Sequence, residues 1–385
     1  MLTEDNFGYV NNIFNVTFLI YTDKETETIL RKQISICPLM NQLDFKFDNE
    51  FIVNYIGKEG KYYVMDLAAK HALRFCAESK ALFFWVFPDV VFSSNAIKSV
   101  VEKYTKGAQL VFTPYGFRCH LSIFRAELKK LTTNKTIKEF LLSGIKSTDL
   151  VRCAINSIDE SSIKFFSHNY LSYRFPSHVY YKFSNNCIVY KGFSLVATLF
   201  DTKHLEFKEL NFLITGGTSL ESSYLLDTLF KDEDVAFIEA SDFYFAVSLE
   251  SHSPSFEFKE KRLQLIKTDN KIFKHPNYFL VSLFAKTKYL SQHNCNAFQK
   301  NVFLYSENYE LSTPPKSEFR ELEFANSRMK YWLTFHSKHQ IFTKIIYYFM
   351  IENKLTGWLL LNSFNEKKKT IIRFCKKYSL LTLRL

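Results

Sequence analysis

The sequence predicts an α/β fold: a mostly parallel sheet flanked by helices, followed by a basic helical segment. Three observations carry this. The first 120 residues alternate β-α-β-α-β-α-β. Their strand candidates are too continuously apolar to leave one face in water, as in parallel sheets covered on both sides. The positive charge of the chain gathers in its last 62 residues.

The elements follow in chain order. NVTFLIYTD (15–23) reads as a buried strand ending in Thr22 and Asp23. Asp23 then caps a helix over KETETILRKQI, because a carboxylate there accepts from backbone N–H groups with no helical partner. LDFKFDNEFIVNYI (43–56) alternates like a strand. KYYVMDLAAKHALRFCAES (61–79) sets Tyr63, Leu67, Ala68, His71 and Phe75 at helical spacing. LFFWVFPDVVF is the next strand, SNAIKSVVEKYTKG a helix with a Ser or Asn cap and Gly107 as its stop, and AQLVFTPYGFRC another strand. ELKKLTTNKTIKEFLLSGIKSTDLVRCAINSI has helical character. From about 165 to 212 the pattern turns to short strands, YLSYRFPSHVYYKF and NCIVYKGFSLVATLF. GGTSLESSYLLDTLF opens with Thr218 and Glu221 at capping-box spacing, and DVAFIEASDFYFAVSLES (234–251) is strand-like again. The expected organisation is a sheet domain over 1–250, an irregular extension over 251–315 containing the STPPK linker, and a basic helical tail over 316–385.

Composition bounds the class. With 385 residues, 47% of them hydrophobic, the chain can build one large core or two ordinary ones. The 41 Phe and 22 Tyr read as compositional bias rather than as a binding surface. Seven cysteines include no CxxC pair, an arrangement expected of reduced thiols in the cytoplasm. No secretory leader opens the sequence and no apolar run approaches the roughly 20 residues that span a bilayer. From Phe324 onward twelve Lys and Arg face two acids, Glu352 and Glu366, which leaves 38 basic and 37 acidic residues over 1–323, a net of +1.

Asp89 interrupts the most apolar run of the chain, directly after Pro88. An acid there needs a partner, since an unpaired buried charge is very costly. Two kinds of partner are open. Asp89 accepts from the next helix or pairs with Arg118, or it holds a divalent cation. Mg²⁺ and Mn²⁺ are commonly bound by one or two carboxylates plus substrate phosphates. Ligands of a parallel α/β sheet lie beyond the carboxyl ends of its strands.

The order FLIYTD, YYVMDLAAKHALRFCAES, ALFFWVFPDVVFSSNAI, GAQLVFTPYGFR resembles nucleotide-sugar-dependent glycosyltransferases of the GT-A (Rossmann-like) fold. The likeness extends more loosely over FPSHVYYKF, YKGFSLVATLF and EASDFYFAVSL, or about residues 15–250. It implies a sugar donor activated by a nucleotide, a glycan or lipid-linked acceptor, and Mn²⁺ or Mg²⁺ held at Asp89, where the family carries Asp-x-Asp. Phe87 stands at the first position of that motif here. Only two strand candidates precede Asp89, so the nucleotide-binding part is shortened if FLIYTD is the second strand. The resemblance further implies an acceptor base in the second half, for which Asp242 and Glu239 in FIEASDFYF are the candidates, with Glu221 behind them. It makes Thr22, Asp23, Arg118 and His178 candidates for substrate contact. Asp242 reads equally as a turn carboxylate, and His178 as a hydrogen-bonded residue among aromatics.

Other patterns are weaker. LITGGTS (213–219) offers paired glycines before a helix but lacks the P-loop frame. His336 and His339 have no acidic partner, and His293 with Cys295 has no second pair for zinc. The basic tail interleaves Lys and Arg with Trp, Phe, Leu and Ile. Its last helix, KKKTIIRFCKKYSLLTLRL, puts Ile371, Phe374, Tyr378 and Leu381 near one face. This pattern fits peripheral attachment to the anionic inner face of a membrane, or a helical subdomain with a solvated basic face. Two alternatives to the transferase stand beside it: a catalytically inactive glycosyltransferase-like protein acting as a structural or binding partner, and a basic nucleic-acid-binding protein, against which no RRM, KH, helix-turn-helix or zinc-finger pattern accompanies the charge.

Overall fold

A computed structural model describes residues 4–36, 43–50, 61–86, 89–113, 117–132, 144–163, 166, 178–182, 187–192, 196–205, 230, 232–251 and 301–307. The LITGGTS turn, the Thr218–Glu221 capping box, the His and Cys pairs beyond residue 290 and the basic tail lie outside these residues.

The described chain is α/β. An N-terminal helical stretch (Glu4–Gly8, Tyr9–Asn11) leads to β1 (Thr17–Tyr21), α1 (Lys24–Ile36), β2 (Asp44–Asp48), α2 (Lys61–Glu78) and β3 (Leu82–Phe84). Then come β4 (Val90–Phe92), α3 (Ala96–Thr105), β5 (Leu110–Thr113), β6 (Arg118–His120), α4 (Leu121–Thr132), α5 (Ser147–Ser157) and α6 (Glu160–Ile163). β7 (His178–Lys182), β8 (Cys187–Gly192), β9 (Val196–Asp201), β10 (Val235–Phe237), β11 (Ala246–Glu250) and β12 (Val302–Tyr305) complete it.

The sheets are small and mixed, not mostly parallel. β1 and β2 form a parallel pair, in register from Thr17↔Asp44 to Tyr21↔Asp48. The central sheet runs β10-β5-β9-β3. Within it β10 is parallel to β5, and β9 is antiparallel to both β5 and β3. Hence β3, β5 and β10 point one way and end on one edge. A second sheet runs β4-β11-β6, and a third β12-β8-β7. β12 belongs to the 251–315 stretch and pairs antiparallel with β8. Antiparallel pairing enters partly because connections are short: β7 ends at Lys182 and β8 begins at Cys187, too close for a parallel crossover.

Aromatic rings fill much of the core among the described residues. Phe117 lies 4.7 Å from Tyr180 between ring centroids, 6.1 Å from Phe245 and 6.2 Å from Phe166. All four rings are buried. Each such ring contributes about 1.5–3 kcal/mol by leaving water. Every residue of β5 is buried, as a central strand requires. α3 turns Ala96, Ile97, Val100 and Val101 inward and keeps Lys98 and Lys103 on its outer side. It stops at Gly107, whose φ of 105° lies where a side chain is strained. Among the described residues, no helix is long and apolar enough to cross a membrane.

Candidate functional site

Three sequence stretches expected as single strands are each divided between two sheets. LFFWVFPDVVF yields β3 and β4, AQLVFTPYGFRC yields β5 and β6, and the 234–251 stretch yields β10 and β11. In each case a strand of the central sheet hands over to one of the second sheet. Asp89 therefore does not sit inside a central strand. It lies just before β4, on the connection between the two sheets.

There Asp89 is exposed. Its Oδ2 accepts a hydrogen bond from Ser248 Oγ at 2.8 Å, and its carbonyl accepts from the Leu249 N–H at 2.8 Å. Arg118 does not pair with it. The guanidinium instead meets Glu250, with 3.2 Å between Nη1 and Oε1. Ser248 and Glu250 stand two apart on β11 and so share one face of that strand. They hold Asp89 from β4 and Arg118 from β6 on either side. Arg118 and Glu250 are 41% and 30% exposed, so their ion pair contributes only about 0–1 kcal/mol. The Arg118 backbone is fixed by Ser162, whose Oγ accepts its N–H at 2.8 Å.

Asp242 and Glu239 follow β10. Both are exposed. The Asp242 carbonyl accepts from Asn95 Nδ2, and the Glu239 carbonyl from the Phe303 N–H at 2.9 Å. Desolvation by the surrounding protein holds the Asp242 carboxyl above its ordinary value. Asn95 lies just past the C-terminal end of β4, whereas Asp89 lies just before its start. The run from Asp89 to Ser93 spans about 13 Å at ~3.3 Å per residue. Asp89 and Asp242 are thus separated by the length of β4 and do not meet.

The other candidates are dispersed. Asp23 caps α1: it accepts from the Thr26 N–H at 2.7 Å and from Thr26 Oγ1 at 3.0 Å, and these bonds lower its pKa. The Thr22 N–H donates to the Asp48 carbonyl at 3.3 Å, extending the β1–β2 ladder. His178 opens β7 opposite Gly192. Glu221 lies outside the described residues.

Three participants were not legible in the sequence. Asn6, fully buried, donates Nδ2 to the Ser93 carbonyl at 2.9 Å and accepts the Ile97 N–H on Oδ1 at 2.8 Å. It caps α3 from 91 residues away. The local cap residue, Asn95, makes no side-chain cap bond and is turned to Asp242 and Ser147 instead. His120 and Asp159 form a fully buried pair, with Nε2 and Oδ2 3.7 Å apart, tying β6 to the turn before α6. No motif spacing announces either arrangement.

For a divalent cation the donor set is sparse. Asp89 has one carboxylate oxygen engaged by Ser248, which fits a cation held by one protein carboxylate and by substrate phosphates. Among the described residues no group of three or more His, Cys, Asp or Glu is placed to hold a metal ion. No protein-family model matches the chain, and no curated protein or solved structure matches it.

Proposed function

We propose that this α/β chain is a GT-A-like glycosyltransferase, moving a sugar from a nucleotide-sugar donor to a glycan or lipid-linked acceptor. The observation that supports this best is the seam between the two sheets. β3, β5 and β10 point one way, and the chain beyond them reaches Asp89, Arg118 at the start of β6, and the Glu239–Asp242 turn, respectively. Those ends are where ligands of α/β sheets bind.

Roles follow from chemistry. Asp89 is the residue that would hold Mn²⁺ or Mg²⁺ on the donor diphosphate, and the cation when bound neutralises charge on the departing nucleotide. Arg118 adds a fixed positive charge for the same phosphates. Asp242 or Glu239 takes the proton from the acceptor hydroxyl. The acceptor oxygen then bonds to the anomeric carbon as the carbon–oxygen bond to the diphosphate breaks, its electron pair leaving on phosphate. A carboxyl with a raised pKa is the better proton acceptor, which favours Asp242. The basic tail brings the enzyme to an anionic membrane surface, where lipid-linked acceptors reside.

The test is a thermal-shift screen with a panel of nucleotide sugars, with and without Mn²⁺. A bound donor at a hundredfold its Kd stabilises by about 2.7 kcal/mol. The expected result is a metal-dependent rise in Tm that disappears in Asp89→Ala. No rise with any donor refutes the proposal. Phe87 at the other position of the acidic motif favours a second reading, a donor-binding protein without transfer activity. Donor binding without hydrolysis or transfer distinguishes it.

A further inference from the structure

We propose that Ser248 is the positioning residue of Asp89: it holds one oxygen of the carboxylate and leaves the other as a single ligand, which suits this position to Mg²⁺ or Mn²⁺ and disfavours Ca²⁺. This rests on the reading of Asp89 as the residue that would hold the cation, and it adds what sets the choice of ion.

An asymmetry around one side chain carries it. Asp89 is exposed, whereas Ser248, which donates from Oγ to its Oδ2 at 2.8 Å, is only 2% exposed. Ser248 sits in the middle strand of its sheet, opposite Val90 of β4 and Arg118 of β6. Its own N–H donates to the Phe117 carbonyl at 3.0 Å. The donor is thus fixed by the sheet on both sides. The Leu249 N–H holds the Asp89 carbonyl at 2.8 Å, so two successive residues of β11 grip Asp89 by side chain and main chain. Among the described residues nothing else bonds to the carboxylate, and Oδ1 remains its one open acceptor. The Arg118 guanidinium is engaged by Glu250 and does not neutralise it.

This geometry discriminates between ions. A carboxylate with both oxygens free can chelate a cation through a small ring. The bite of that ring is too narrow for the near-ideal octahedron that Mg²⁺ demands, whereas Ca²⁺ accepts bidentate carboxylates in its flexible shell. Engaging Oδ2 removes the bidentate mode and keeps the single-oxygen mode. Hydrogen bonds to ionised groups are stronger than neutral ones, so the serine retains Oδ2 when a cation arrives.

Amide NMR on the full chain tests this with Mn²⁺ as the probe. Bound Mn²⁺ broadens nearby resonances, and a diamagnetic ion that displaces it restores them. The Asp89 and Val90 amides should broaden, and Mg²⁺ should restore them at lower concentration than Ca²⁺. Ser248→Ala frees the second oxygen and should shrink that preference roughly three- to tenfold, the scale of a hydrogen bond to an exposed charged group. Ser248→Thr keeps the hydroxyl and should keep the preference. Water replaces the lost donor at the exposed carboxylate, so Ser248→Ala should fold, which its Tm monitors. An unchanged ion preference in Ser248→Ala overturns the proposal. So does a preference for Ca²⁺ in the unmodified chain, or an absence of broadening at Asp89. Donor thermal shifts read in parallel separate the two claims. Donors that fail while Ser248 sets the ion preference leave the positioning role standing and remove the transfer reading. Donors that bind with Mn²⁺ while Ser248→Ala changes nothing do the reverse.

Discussion

Replacing Asn6 by alanine is the most demanding perturbation of this architecture. The side chain is fully buried and satisfies two backbone groups far away in sequence, the Ser93 carbonyl and the Ile97 N–H. Alanine leaves the Ile97 N–H without its partner in the interior, whereas the Ser93 carbonyl keeps the Ala96 N–H at 3.2 Å. A buried donor so orphaned costs about 1–3 kcal/mol. That is a factor of about five to a hundred or more in the folded-to-unfolded ratio. Urea denaturation measures it, and hydrogen exchange should show the amides of Ile97 and the Ser93–Asn95 segment opening first. Asn6→Asp is the informative companion. It keeps an acceptor for the Ile97 N–H but faces the Ser93 carbonyl with a carboxylate. The folded state therefore raises the pKa of the introduced acid. Its deficit should be full at neutral pH and shrink as pH falls and the carboxyl regains a proton to donate. A loss below about 1 kcal/mol for Asn6→Ala, or an Asn6→Asp deficit that grows in acid, would refute the cap argument.

Burial pushes the thiols of Cys76 and Cys153 up to about 11, so both should resist iodoacetamide at pH 8 until the chain unfolds. Peptide-resolved labelling of either in the native state within minutes would contradict this. Asp242 has a folded pKa above its unfolded value, so its charge opposes folding at neutral pH and the opposition fades as pH falls through the raised pKa toward the ordinary aspartate range. Asp242→Asn should therefore equal or exceed the parent Tm at pH 7, with the difference closing in acid; a difference that widens in acid would be the wrong sign. Phe200→Ala removes a fully buried ring 4.9 Å from Phe83 and should cost about 3–5 kcal/mol in urea, with a loss under about 2 kcal/mol ruling out the packing described.

Much of the fold was legible because it depends on local chemistry. Asp23 caps α1, Gly107 ends α3, and the helical spacing of 61–79 becomes α2. What failed was the continuity of strands. LFFWVFPDVVF, AQLVFTPYGFRC and the 234–251 stretch are each apolar enough for one long strand. Apolarity, however, reports burial and not which sheet supplies it, so nothing in periodicity marks a change of sheet. The cap of α3 failed for a related reason. Asn95 has the right residue type at the right place, but Asn6 reaches the helix from elsewhere in the chain and Asn95 is engaged across the turn. At the site, Asp89 was legible as a lone acid in an apolar run. Its partner Ser248 was not, because 159 residues separate them and only the pairing of β4 with β11 brings them together.

A carboxylate between two apolar segments is costly inside one sheet and tolerable where the chain leaves one sheet for another. On such a connection the ladder is already interrupted and water can reach the side chain. The same reasoning applies to the polar residues after β5 and β10. Because β3, β5 and β10 run in one direction, their C-terminal ends fall on one side of the central sheet. That Asp89, Arg118 and the Glu239–Asp242 turn each follow one of these strands in the sequence reflects this order of elements rather than any shared motif. β11 then sets their spacing. Ser248 and Glu250 fix Asp89 and Arg118 at one end, while the turn leading into β11 carries Asp242 at the other.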